Sequence, residues 1–141
     1  MKTLMLRDGD LVPGHRDYVL VEGTGKVAQD LRGALLEPLG TDRFHPGWGS
    51  SLGDHIATIA SEQSEMEVLA EVNRVISNYA AVQRDKIEAD MTGDAPTRFT
   101  TDEVLARIRG VNSKTTDETV QVDIQLQTVS GEVVVLAEAV F

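Results

Sequence analysis

The residues with the most chemical potential in this chain sit in one stretch, "FHPGWGSSLGDHI", Phe44 to Ile56. It holds the single tryptophan, two of the three histidines and three glycines. A zinc site needs three or four converging ligands, commonly histidines at helical spacing or cysteines. His45 and His55 instead flank a turn, His15 is remote, there is no HExxH, and there are no cysteines. Serine, histidine and aspartate are all present, but "GWGSSLG" is not the GxSxG elbow that exposes a serine nucleophile. "GTGK" (23–26) has Leu20 where a phosphate-binding loop requires glycine, and Val27 where it requires serine or threonine.

Carboxylates are plentiful, at 23 Asp and Glu. A glycosidase needs two at a defined separation, and a general acid is usually set in an apolar run that raises its pKa. Glu37, beside Pro38, comes nearest, and its position reads as a helix end. No catalytic, cofactor-binding or metal-binding residue is assigned on these grounds.

The whole chain sets the background. Its 141 residues suit one domain with enough length for a core. The net charge of −10 argues against a nucleic-acid partner, because phosphate backbones are met by clustered lysine and arginine. No apolar run approaches the roughly 20 residues that span a bilayer. The first ten residues do not read as a signal peptide, and a chain without cysteine fits a reducing cytosol.

The elements that must position these residues follow from periodicity. Residues 1–16 read as an irregular arm and "DYVLVEG" (17–23) as a short strand. A first helix is expected over 24–40, where Val27, Ala28, Leu31, Ala34 and Leu35 form one stripe and Pro38 and Gly40 stop it. Ser50 or Ser51 can cap a short helix that buries Leu52, Ile56 and Ile59. A long helix is expected over 61–90, with Val68, Val72, Val75, Tyr79 and Val82 inward and Glu71, Asn78 and Asp85 in water. "TTDEVLARI" (100–108) has the residues of a capped short helix. "TVQVDIQLQT" (119–128) alternates as a strand with one wet face. "VSG" (129–131) is a turn, and 132–141 is the hairpin partner. The order predicts a single α+β domain, with helices on one face of a small antiparallel sheet that ends in a C-terminal hairpin. Its parts are an N-terminal arm (1–16), a mainly helical part (17–110) and the hairpin (111–141).

The last strand is nearly continuous apolar sequence in "VVVLA" (133–137). A strand wet on one face should alternate, so this one is expected to be covered on both faces or continued by another chain. Its edge ends the sequence, and open edges recruit strands.

In order and spacing, "VAQDLRGALLEPLG", "RFHPGWGSSLGDHI", "EVNRVISNYAAVQRDKI" and "VQVDIQLQTVSGEVVVL" resemble the phage baseplate wedge proteins that initiate the contractile tail sheath. These form the gene-25-like family, with relatives in type VI secretion and other contractile injection systems. The resemblance runs over roughly residues 15–140. The family loop reads Pro, x, aromatic or hydrophobic, Gly, Ser, x, Leu, and Pro46, Trp48, Gly49, Ser50 and Leu52 fill it. Many members carry Glu-Pro-Arg near the end of the long helix. Here Tyr79 is followed by Ala80-Ala81-Val82-Gln83-Arg84, so only Arg84 is available as the family arginine.

The resemblance implies a structural protein of the virion tail baseplate, assembled in the host cytoplasm, with six copies around the tube. It implies no enzyme activity, cofactor, nucleic acid or membrane. Implied partners are tail sheath subunits, other wedge proteins and tail tube or hub proteins. The implied assembly surface is the C-terminal hairpin, Gly131, Glu132, Val133, Val134, Val135, Leu136, Ala137, Glu138, Ala139 and Val140, joined by strands of the sheath. The same family has carried a lysozyme label, so a peptidoglycan-degrading enzyme is the alternative, beside a type VI or other injection-system baseplate subunit. The opening loop then reads as a connector. Gly47 and Gly49 allow its turn, Trp48 anchors it on the core, Ser50 caps the next helix, and His45 lies on the surface.

Overall fold

A computed structural model describes residues 1–55, 62–93, 98–116 and 119–139. The element order is β1 (Thr3–Leu4), β2 (Leu6–Arg7), β3 (Asp10–Leu11), β4 (Leu20–Val21), α1 (Gly23–Leu36), a 3-10 turn (Leu52–His55), α2 (Glu62–Thr92), β5 (Leu105–Thr115), β6 (Val120–Thr128) and β7 (Val133–Ala139). The expected α+β class holds. Helices pack on a three-stranded antiparallel sheet of order β5-β6-β7.

The alternation in β6 fixes the layering. Val120, Val122, Ile124 and Leu126 are buried, and the residues between them face water. Val134 and Leu136 of β7 point the same way. Against this face α1 sets Val27, Leu31, Ala34 and Leu35, and α2 sets Val68, Val72, Val75, Ile76 and Tyr79. Each such aliphatic side chain contributes about 1.5–3 kcal/mol when fully buried. The 31-residue α2 runs about 46 Å at the usual rise. Its stripe departs from expectation at one end, where Val82 is only half-buried and the polar Gln83 is buried instead.

Four expectations are corrected. The N-terminal arm is not irregular: β1 pairs with β4 and β2 with β3, both antiparallel. Gln29 of α1 stands in for a strand, since its Oε1 accepts from Leu6 N–H at 2.8 Å and its Nε2 donates to the Leu4 carbonyl at 2.9 Å. Next, α1 stops at Leu36, before the proline.

The segment 100–108 is not a helix. It turns through Thr101–Val104 and enters β5 at Leu105, so the sheet begins well before residue 111 and the hairpin is the last two-thirds of a meander. The Thr100 hydroxyl, which would cap a helix, bonds the Asp102 side chain. Glu103 turns inward instead, to 1% exposure. Its Oε1 accepts from the Met1 amino group at 2.9 Å and from Gly23 N–H at 3.3 Å. Glu103 thus supplies the acid that the first turn of α1 lacks, at the end where the helix dipole favours one.

The fourth concerns the outer face of β7. Among the described residues it is open at Val133 and Val135, 41% and 60% exposed, so of the two expected arrangements cover of both faces within this chain does not hold there. Val140 lies outside the described residues, as do Ile56 and Ile59.

Candidate functional site

The turn that launches β7 has a defined geometry. Gly131 N–H donates to the Thr128 carbonyl at 3.0 Å, and Thr128 N–H donates to the Glu132 carbonyl at 2.9 Å. Gly131 sits at φ +91°. This is a type I turn closed by a glycine bulge, so "VSG" is the three-residue loop it was read as. Register then follows: Val134 pairs with Leu126, Leu136 with Ile124 and Glu138 with Val122.

Antiparallel pairing alternates, and Glu132 already points its carbonyl at β6. The backbone groups of Val134, Leu136 and Glu138 therefore face β6, and those of Val133, Val135, Ala137 and Ala139 face away. Among the described residues β7 pairs with β6 alone. A groove of about 1010 Å³ runs beside Val135 and Leu136, floored by Gly25, Ala28 and Gly33 of α1 and walled by Leu6 of the N-terminal ladder. The side chain of Val134 and that of Leu136 belong to the core, so the candidate edge is carried by backbone.

The loop is placed separately, between the end of α1 and the middle of α2. Ser50 N–H donates to the Glu37 carbonyl at 2.8 Å, and Leu39 N–H donates to the Ser50 carbonyl at 3.0 Å. The Ser50 hydroxyl donates to the Leu35 carbonyl at 2.5 Å. Its capping contact, from Leu52 N–H, is long at 3.5 Å, so Ser50 mainly ties the loop to α1. Gly49 is required: at φ +97° a side chain is strained, and a Cβ would lie 2.7 Å from the Glu37 carbonyl oxygen. Gly47 has open space around it.

Trp48 is half-buried against the core and meets Tyr79 with ring centroids 6.4 Å apart. The expected anchor is therefore partial. Leu52 is fully buried, and Pro46 is exposed. His45 is a surface residue whose Nδ1 lies 3.0 Å from Asp42 Oδ2. Asp42 is held below the usual carboxylate range by Phe44 N–H first and then by His45.

Sequence reasoning missed what fastens this loop. Arg74 of α2 donates through Nη2 to the Gly49 carbonyl at 2.8 Å and through Nη1 to the Gly47 carbonyl at 3.3 Å. The same guanidinium holds Glu71 at 2.7 and 2.8 Å, and Glu71 accepts from Ser51 N–H at 2.9 Å. Glu71 was expected in water. It is instead a partner of the loop, and the Arg74 hydrogen bonds hold its carboxyl below the usual range. Asn78, also expected in water, is half-buried and reaches the Gly47 carbonyl at 3.5 Å. Arg84 is exposed and has no partner among the described residues. It stands apart from both β7 and the loop in sequence, and nothing in the structure brings it to either.

Among the described residues no group of three His, Asp or Glu could hold a metal ion, and no helix is long and apolar enough to cross a membrane. In comparisons with known proteins, no family model, no curated protein and no solved structure matches this chain.

Proposed function

We propose that this chain is a structural, non-catalytic component of a contractile-tail baseplate, and that tail sheath subunits begin to assemble on it by adding a strand to β7. One observation carries this reading: among the described residues β7 pairs on one side only, with the backbone groups of Val133, Val135, Ala137 and Ala139 directed outward. Main-chain hydrogen bonding at such an edge supplies affinity, and alternate side chains set the register. The order of helices, loop and hairpin in the sequence supports the choice of machine.

Val135→Pro tests it. Proline there removes an outward N–H and leaves the β6 ladder its donors. The variant should fold and join the baseplate, yet fail to start the sheath. Normal sheaths on Val133→Pro and Val135→Pro baseplates would overturn the reading. So would release of reducing ends from peptidoglycan by the purified protein, if a single carboxylate substitution abolished it.

A further inference from the structure

A second pocket, of about 300 Å³, lies away from the β7 edge, between α1, α2 and Trp48. Lys26 projects into it. This lysine is buried, at 8% exposure, and its Nζ lies 2.5 Å from Asp30 Oδ2. Asp30 is its single partner among the described residues. An ammonium carries three donors, so two remain unused by protein in a setting where buried donors are normally satisfied. Asp30 Oδ2 also accepts from the Tyr79 hydroxyl at 3.0 Å, and that hydroxyl receives from Gln83 at 3.4 Å. At the rim stands Lys86, exposed and with no partner among the described residues. The rings of Trp48 and Tyr79 line the same space.

Lys2, Lys26, Lys86 and the Met1 amino group line this pocket with Asp30. Lys2 lies 3.7 Å from Glu22 Oε2 and the Met1 amino group 2.9 Å from Glu103 Oε1, so after these pairs and Lys26–Asp30 the charge of Lys86 remains, in a chain whose net charge is −10. The local sign is therefore opposite to that of the whole molecule. We infer that the pocket binds a carboxylate: its oxygens accept from Lys26 and Lys86, and its apolar body lies on Trp48 and Tyr79. A singly charged group fits better than a phosphate, because Asp30 shares the pocket and repels a dianion more strongly. The volume admits a small carboxylic acid or one acidic side chain, and the chemistry of recognition is the same for both.

Trp48 is the only tryptophan, so its emission reports the pocket directly. The whole chain is titrated with sodium butyrate, with an octaglutamate peptide, and with sodium chloride at matched ionic strength. Saturable changes with butyrate and peptide establish a site open to free carboxylates. A change with the peptide alone assigns the carboxylate to an acidic side chain of a partner protein. Either should weaken at least about tenfold in Lys86→Glu, which removes one charge-assisted contact and adds a repelling carboxylate, and should vanish in Lys26→Met. Circular dichroism checks that both variants fold, and Lys86→Glu decides if Lys26→Met does not. An emission change that merely tracks chloride, no change at all, or binding undiminished in folded Lys86→Glu would show that solvent alone fills the pocket and overturn the inference.

Discussion

The guanidinium of Arg74 donates to the carbonyl of Gly49 at 2.8 Å, across a sequence gap of 25 residues. This contact joins the centre of α2 to a loop that is also tied to the end of α1 through Ser50. Glu71, one turn earlier, orients the guanidinium and accepts from Ser51 N–H. Two charged side chains thus satisfy backbone groups of a segment with no sheet or helix of its own to do so.

Arg74→Ala should cost about 1–2 kcal/mol, the range of hydrogen bonds to a charged donor discounted for its part exposure to water. Glu71→Ala should cost a similar amount, since it frees Arg74 and strips Ser51 N–H of its acceptor. The two losses share contacts, so the double variant should fall short of their sum. Additive losses in urea melts would show that the residues act separately. Glu71→Lys, at a position the sequence places in water, should destabilise.

The pH dependence of this clamp has a definite sign. The Glu71 carboxyl is held below its ordinary value, chiefly by Arg74. Its stabilisation is present above the unfolded value, near pH 4.3, and is lost as pH falls through the lower folded value. The gap in melting temperature between wild type and Glu71→Gln should be widest near neutrality and close in strong acid. A gap independent of pH would mean that the carboxylate charge is not what holds the loop.

Gly49→Ala should be strongly destabilising, because a left-handed residue gains a Cβ 2.7 Å from the Glu37 oxygen and 2.9 Å from that of Pro38. Gly47→Ala should be close to neutral, since nothing lies within 4 Å of the added atom. Thermal melts of the pair separate a required glycine from an incidental one. Equal losses would place the strain elsewhere in the loop.

Legibility in the sequence tracked the range of the interactions involved. The alternation of β6 and the inward stripe of α2 from Val68 to Tyr79 are local patterns, and both read correctly, whereas Val82, Glu71 and Asn78 did not. "TTDEVLARI" has the local signature of a capped helix, but Leu105 pairs with Thr128 and Arg107 with Gln127, partners some twenty residues away. Sheet pairing and the burial of Glu103 outweigh a preference worth about 1 kcal/mol. The two-residue ladders of the N-terminal arm are too short to show a period. The Arg74 clamp leaves no motif, because a side chain that bonds carbonyls places no demand on residue type in the loop. Lys26 sits within a fragment that resembles a phosphate loop and fails it. Its burial, not its neighbours in sequence, marks it out.

Trp48→Ala should cost about 1–3 kcal/mol, less than the 3–5 typical of a fully buried aromatic. The ring is only half-buried and meets Tyr79 at an interplanar angle of 49°. A loss at the upper end would mean that the ring is more enclosed in solution than its contacts with α2 imply. Unchanged melting would remove Trp48 as a structural anchor altogether.

The alternation of β7 yields the sharpest expectation, and it holds whichever partner the edge takes. Val134 and Leu136 direct their backbone groups to Leu126 and Ile124 of the central strand, and Val133 and Val135 direct theirs outward. In the free chain the amides of Val134 and Leu136 should exchange slowly with deuterium, and those of Val133 and Val135 rapidly, although all four lie in one strand. Val134→Pro removes a ladder donor and should destabilise the sheet, whereas Val135→Pro should be far milder. Side-chain burial runs in the same rhythm, with Val134 inside and Val135 60% exposed, so the substitutions need controls. Val134→Ala and Val135→Ala measure the side-chain share, and the remainder of each proline effect belongs to the backbone. Uniform protection along 133–136 in dilute solution would show that the outer edge is already paired, by a second copy of the chain. Protection that fades on dilution would identify that pairing as self-association. Alternating protection that persists at every concentration would leave the edge open for another strand.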